Sequence, residues 1–245
     1  MTPIENRLGI ETTDISQTLN LIQVEVSELL PILLEVLSDS YSVDILSDDS
    51  VVSDRASYLA VYKFKGHDWT LLERFGGYSD ISDKNLARQL SDKLHSLAIT
   101  FEQSDSSGFS RYFIWENSFL EESFNLSAEG IPSEDDLELI NSFNQYSLMS
   151  KLLIIHDDVI EDYGGNLPYE YNCVIYSSSR ALTKSEVGEP YRFVHNTFKN
   201  IDAYIPALYW NTRDGSNIAD SFSYLGSETQ TSDFQEIIFL QLNPL

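Results

Sequence analysis

The residues whose types could do chemistry are four carboxylates that follow the stretch from Leu153 to His156. They are Asp157, Asp158, Glu161 and Asp162. Oxygen ligands of this kind are what hard divalent cations prefer. A calcium-binding loop, however, places its ligands at a fixed spacing around a tight-turn glycine, and this run does not have that spacing. Two readings stay open: a metal-dependent enzyme built on these carboxylates, or a solvated acidic segment between a strand and a loop.

The ten residues 153–162 also resemble the first aspartate-rich motif of the trans-prenyl diphosphate synthases, where carboxylates one helical turn apart hold magnesium on a diphosphate. That family is all-helical, places paired arginines after the motif and repeats an aspartate-rich motif later in the chain. Here Tyr163-Gly164-Gly165 follows, the next arginine is Arg180, and there is no second motif. The sequence therefore argues against prenyl transfer.

Other catalytic patterns are missing from the sequence. The four histidines, His67, His95, His156 and His195, have no metal-ligand spacing, and no Gly-x-Ser-x-Gly motif or phosphate-binding glycine loop occurs. The single cysteine, Cys173, lies in an apolar strand-like stretch and is interpreted as structural. These observations identify no catalytic residue, metal ligand or cofactor site, and they favour a protein that is not an enzyme.

The net charge of -24 restricts the partners that this chain can bind. It comes from 39 acidic against 15 basic residues, excludes nonspecific binding to nucleic acid and disfavours docking on anionic membranes. Two acidic blocks, residues 1–54 with 11 acids and one base and residues 112–179 with 13 acids and one base, flank a nearly neutral stretch. An acidic surface of this kind either keeps the protein soluble or meets a basic partner.

The localisation expected from the sequence is cytoplasmic. No signal peptide is visible at the N-terminus. The most apolar stretch, Leu19 to Leu37, contains Glu25, Glu28 and Glu35, which argues against a membrane span. A single cysteine allows no internal disulfide and suits a reducing compartment.

The elements that would position these residues begin with an amphipathic helix predicted over residues 14–37. Its apolar stripe has a period of about 3.5 residues, which is typical of a helix: Ile15, Leu19, Ile22, Val26, Leu29, Leu33 and Val36. Thr13 or Asp14 is the expected N-cap, and Pro31 is expected to kink or split the helix near Leu30. The stripe packs either on its own domain or on a second copy, which makes the 15–36 helix a candidate for self-association.

Alternating patterns and turn residues predict an α+β fold, mainly antiparallel sheets with a few helices. Predicted strands cover 41–46, 57–65, 69–75, 97–103, 111–115, 118–124, 151–156, 169–177, 204–210, 222–225 and 234–242, and predicted helices cover 83–95, 135–147 and 190–201. Three regions follow: an acidic N-terminal helix and loop (1–54), an α+β module (55–128) and a second α+β module (133–245). The order helix, strand, turn, strand at 83–115 recurs at 190–225, so the halves are candidates for an ancient duplication.

The middle module resembles a segment of uncharacterised acidic bacterial proteins of the immunity or inhibitor kind. The resemblance assigns no functional residue, and the residues that carry it are Leu90, Leu97 to Glu102, Asp105 to Gly108, Tyr112 and Trp115-Glu116. The acidity, the two acidic blocks and the lack of catalytic motifs predict a non-catalytic cytoplasmic protein that neutralises or regulates a basic protein partner, and the resemblance adds to that prediction. The alternatives are a DNA-mimic inhibitor of a nucleic-acid-binding protein, an assembly subunit, and the metal-dependent enzyme.

Partner contacts are expected from acids, which steer a basic protein, and from exposed aromatic side chains, which anchor it. The candidate residues are Glu134, Asp135, Asp136, Asp157, Asp158, Glu161, Asp162, Tyr209 and Trp210.

Overall fold

The computed structural model describes residues 2–12, 14–77, 84–104, 109–127, 151–155, 173–178, 190–210, 213–224 and 230–245. The helices are α1 (Val26–Leu37), α2 (Lys84–Leu94) and α3 (Pro190–Asn200). The first seven strands are β1 (Gly9–Ile10), β2 (Gln17–Ile22), β3 (Tyr41–Leu46), β4 (Ser57–Phe64), β5 (Thr70–Phe75), β6 (Leu97–Ser104) and β7 (Phe109–Glu116). The remaining strands are β8 (Phe119–Ser127), β9 (Lys151–Ile155), β10 (Cys173–Ser178), β11 (Tyr204–Ile205), β12 (Leu208–Trp210), β13 (Phe222–Tyr224) and β14 (Phe234–Pro244).

Ten of these strands form one antiparallel sheet in the order β3-β14-β4-β5-β2-β6-β7-β8-β10-β9. The C-terminal strand β14 lies between β3 and β4 and pairs with both, so β3 is the outermost strand at that side of the sheet. Two small two-stranded sheets, β1 with β11 and β12 with β13, stand apart from it. The α+β class predicted from the sequence is confirmed.

Side-chain alternation along the strands gives the large sheet two apolar faces, and each face is covered. On one face Leu59, Val61 and Leu72 belong to the cluster that contains the buried stripes of α1 and α2. On the other face Leu19 and Phe101 belong to a larger aromatic cluster that includes α3 and the small sheets. The sheet is thus the middle of three layers, and most of its central strands are buried on both sides.

The helix predicted over residues 14–37 is wrong in its first half. Residues 17–22 form β2, which pairs with β5 on one side and β6 on the other, and the helix begins only at Val26, with Glu25 as its N-cap in place of Thr13 or Asp14. Leu19 and Leu21 face one side of the sheet while Thr18 and Asn20 face the other, an alternation that the 3.5-residue stripe concealed. The stripe fits a helical period and the alternation fits a strand period, and pairing with β5 and β6 on both sides favours the strand.

Pro31 does not split the second half, because α1 continues from Val26 to Leu37. The proline lacks the N–H that would bond to the Ser27 carbonyl one turn earlier. Both Pro31 and Ser27 lie on the exposed side of α1, where water can satisfy that carbonyl. The cost of an internal proline is therefore reduced at this position.

The elements predicted between residues 41 and 127 are confirmed, as are strands near 151–155, 173–178, 222–224 and 234–244 and the helix at 190–200. The helix predicted at 135–147 lies outside the described residues. The run predicted as one strand at 204–210 is broken into β11 and β12. Among the described helices, none combines the length and the apolar character needed to cross a bilayer.

The expectation of two similar halves is not confirmed. After α2 the chain enters the long β6–β7 hairpin of the large sheet. After α3 it enters the short strands β11 and β12, which pair with β1 and β13 outside that sheet. The shared order of elements thus leads to different pairings.

Candidate binding surface

Most of the partner-binding residues expected from the sequence cannot be placed. Glu134, Asp135, Asp136, Asp157, Asp158, Glu161 and Asp162 lie outside the described residues. Tyr209 is 47% exposed on β12. Trp210 packs into the aromatic cluster, with its ring stacked on Phe75 at 4.9 Å between centroids, so its contribution within the chain is to the core.

The first acidic block does form a described surface, at one edge of the large sheet. Strand β3 is the terminal strand of the sheet order and pairs only with β14 among the described strands. Asp39 precedes β3, Asp44 lies within it, and Asp48 and Asp49 follow it, all four with exposed side chains. We call β3 with these four carboxylates the acidic edge.

In the sequence, the acidic edge belongs to a longer acidic run that begins at Glu25 on α1 and ends at Asp54. Residues 25–54 contain no lysine or arginine, and all eight of their carboxylates are exposed: Glu25, Glu28, Glu35, Asp39, Asp44, Asp48, Asp49 and Asp54. Glu25 pairs with Lys63 at 2.5 Å and Glu35 with Lys93 at 2.8 Å. Within the described part of the chain the other six carboxylates form no ion pair. Two cations lie nearby, since Lys93 interacts electrostatically with Asp39 and the Arg74 guanidinium lies 5.3 Å from the Tyr41 ring centroid, but acids outnumber bases along this run.

Apolar side chains are exposed beside these charges. Ile45 on β3 is 58% exposed and Val51 in the following loop is 66% exposed. Apart from Leu245, they are the most exposed large hydrophobic side chains of the described residues. Exposed apolar groups bordered by charges are typical of protein interfaces, whose centres are apolar and whose rims are polar.

The apolar stripe expected to support self-association is not available for that role. Ile15, Leu19 and Ile22 are buried in or next to β2, and Val26, Leu29 and Leu33 of α1 are buried against the sheet. These side chains of the stripe therefore pack within the core of this chain, and self-association itself stays a prediction.

Ionisable side chains also meet in a cleft of about 450 Å³ between the N-terminal segment and α3. The Glu11 carboxylate accepts hydrogen bonds from the Tyr204 hydroxyl at 2.6 Å and the Ala207 N–H at 3.0 Å, and it pairs with Arg7 at 3.5 Å. The Nδ1 atom of His195 lies 3.2 Å from the Ile10 nitrogen and 3.1 Å from its carbonyl oxygen. These hydrogen bonds and the ion pair attach the N-terminal segment to α3 and β11. No pattern in the sequence indicated this, because the hydrogen-bonded partners are 185 to 196 residues apart.

Gly9 gives a direct test of that attachment. Its φ of +81° is a conformation that side chains with a Cβ rarely adopt, and a Cβ there would lie 2.6 Å from the His195 ring. Gly9→Ala is expected to lower the free energy of unfolding by about 2 kcal/mol, measured by urea denaturation. Gly215→Ala is the matched control for backbone strain, because Gly215 has a φ of +83° and open space around it. Equal losses in the two variants would contradict a tight contact at His195.

One carboxyl group, that of Glu73, is buried beside the aromatic cluster and is not part of the acidic surface. Glu73 on β5 is almost fully buried, and the Tyr62 hydroxyl donates to its Oε2 at 2.9 Å. Burial raises the pKa of Glu73 to about 7, against the opposing effects of Trp210 and Tyr62. Glu73 therefore holds its proton to a higher pH than an exposed glutamate does, because its surroundings disfavour the charged carboxylate.

The described residues contain no group of three or more histidine, cysteine, aspartate or glutamate side chains arranged to hold a metal ion. His67 is buried and bonds to the Ile4 carbonyl oxygen at 2.7 Å, and His95 is exposed. Comparison of the chain with protein-family models, with curated proteins and with solved structures finds no match.

Proposed function

We propose that this chain is a non-catalytic acidic protein of the cytoplasm that binds a basic protein partner through the acidic edge and thereby neutralises or regulates it. The observation that carries the proposal is the base-free run of residues 25–54, whose eight carboxylates are all exposed. Opposite potentials accelerate association and disfavour wrong partners. The exposed side chains of Ile45 and Val51 supply the apolar contact that steering charges alone lack.

Binding of a basic protein explains this surface better than mimicry of DNA does. Duplex DNA carries about one charge per 1.7 Å of its axis. Strand β3 has six residues and is about 20 Å long, and Asp44 is its single carboxylate, because Asp39, Asp48 and Asp49 lie in the turns on either side. A charge density this low does not imitate a phosphate backbone.

The test is capture of the partner from a nuclease-treated lysate of the source organism by the full chain. The variant Asp44→Asn/Asp48→Asn/Asp49→Asn removes three charges from the acidic edge. It is expected to lose a basic protein that the natural chain retains at low salt and releases at high salt, because exposed charges are screened by ions. Mass spectrometry identifies the retained protein, and titration calorimetry measures the loss of affinity.

A matched control variant, Glu116→Gln/Glu121→Gln/Asp202→Asn, changes the net charge equally at exposed positions elsewhere. It is expected to retain the partner. Equal losses in the two triple variants would show that net charge alone acts, and an acidic or salt-insensitive partner would remove the proposal.

A further inference from the structure

Strand β3 leaves one row of backbone groups without partners among the described residues. The Leu245 N–H bonds to the Ser40 carbonyl oxygen at 3.2 Å, which makes residues 40 and 245 a hydrogen-bonded pair of the β3–β14 ladder. Hydrogen-bonded and open pairs alternate along antiparallel strands. Tyr41, Val43 and Ile45 therefore direct their N–H and C=O groups away from β14.

The position of Pro244 agrees with that assignment. It lies opposite Tyr41 in the register, and a proline has no N–H to give to a hydrogen-bonded pair. The outer edge of β3 thus presents three N–H and three C=O groups that can bind another extended chain.

The two faces of β3 differ in chemistry. Val43 packs beside the α1 layer and the alternate residue Ile45, on the same face, is largely exposed. Asp44 points to the opposite face, where its carboxylate accepts a hydrogen bond from the Asn243 side chain at 3.0 Å. An added strand would meet apolar side chains on the α1 side and a carboxylate on the other.

From this edge we infer that the partner binds by adding an extended segment to β3, in which basic residues alternate with apolar residues. The inference rests on the proposed function and specifies how that surface is used. Lysine or arginine side chains of the segment lie beside Asp44, and its apolar side chains lie beside Ile45. Asp39, Asp48 and Asp49 attract basic residues at the two ends of the segment.

A second copy of this chain fits the same edge poorly. Antiparallel pairing of two β3 strands would bring Asp48 and Asp49 of one copy towards Asp39 of the other. Like charges across neighbouring strands are destabilising. The carboxylates that attract a basic segment thus also prevent edge-to-edge pairing of identical chains.

The experiment measures binding of a capped peptide with the sequence Lys-Val-Lys-Val-Lys-Val to the full chain by calorimetry at low salt. Methylation of the peptide nitrogens on its hydrogen-bonding side is expected to weaken binding about tenfold or more, because it removes ladder bonds and leaves the charge unchanged. Hydrogen exchange is expected to slow at the amides of Val43 and Ile45 in the complex. The variant Val43→Pro, which removes an outward N–H and spares the bonds to β14, is expected to show the same loss.

The outcomes separate the mode of binding from the proposed function. Equal binding of the methylated and unmethylated peptides would overturn strand addition. The proposed function would stand, as an acidic surface that attracts basic proteins by charge alone. Equal binding of a Glu-Val peptide would remove the charge argument, and the proposed function with it. A concentration-dependent dimer that Val43→Pro dissociates would assign the edge to a second copy instead.

Discussion

Replacement of Glu73 with glutamine is expected to stabilise the protein by about 3 kcal/mol at pH 8 and to change its stability little at pH 4. Burial raises the pKa of this carboxyl from 4.5 to about 7. Between those pH values the unfolded chain has released the proton while the folded protein holds it, so stability falls as the pH rises from about 4.5 to about 7. Glutamine has no proton to lose and can still accept the bond from the Tyr62 hydroxyl.

Urea denaturation of both chains at pH values from 4 to 8 measures this difference. Glu121→Gln is the control, because it removes the same charge from an exposed position on β8. It is expected to give no comparable increase at high pH. A Glu73→Gln stability difference that stays constant from pH 4 to 8 would show that Glu73 keeps an ordinary pKa in the folded protein.

Local sequence patterns predicted most of the described strands, because turns and alternation are local properties. The β7–β8 hairpin is an example: Asn117 and Ser118 have φ values of +49° and +66°, as a two-residue hairpin turn requires, and the apolar runs on either side were recognised as strands. The strand at 234–242 was also recognised. Its position between β3 and β4 was not, because pairing across about 190 residues leaves no local signal.

The error at residues 14–25 has a related cause. Leu19 and Ile22 fit the spacing of a helix, while Leu19 and Leu21 fit that of a strand, so the local pattern allowed both. Pairing with β5 and β6 satisfies the backbone of β2 on both sides, and burial on both faces follows from the two helical layers. A choice of this kind depends on tertiary contacts.

For the candidate surface, the sequence predicted the acidic composition but not the position at the edge of the sheet. The sequence located an acidic block at 1–54 and a short strand at 41–46, but the status of β3 as an edge strand depends on where β14 inserts. The carboxylates expected to bind a partner were placed mainly at 134–162, beyond what the structure describes. Glu73 was missed because an acid followed by Arg74 in the strand Thr70–Phe75 looks like part of a solvent-facing charged pair.

A second large effect is expected from Arg111→Met, which should lower the free energy of unfolding by roughly 3 kcal/mol. Glu102 on β6 lies opposite Arg111 on β7, with its side chain only 3% exposed, and the Arg111 Nε donates to its Oε2 at 2.6 Å. Removal of the guanidinium leaves a buried carboxylate without its counter-charge. Because the desolvation cost comes from that carboxylate, Glu102→Leu in the same chain should restore most of the loss, to within about 1 kcal/mol of the natural protein.

The double-mutant cycle of Glu102→Leu and Arg111→Met, followed by urea denaturation at pH 7, measures the coupling between the two side chains. A double variant that loses much less stability than the sum of the two single variants would show that each single loss comes mainly from leaving the other charge buried without a partner. If the double variant is as unstable as Arg111→Met alone, the loss comes from the packing of the arginine stem across β7. In that case Arg111 stabilises the sheet mainly through the packing of its aliphatic stem and less through its charge.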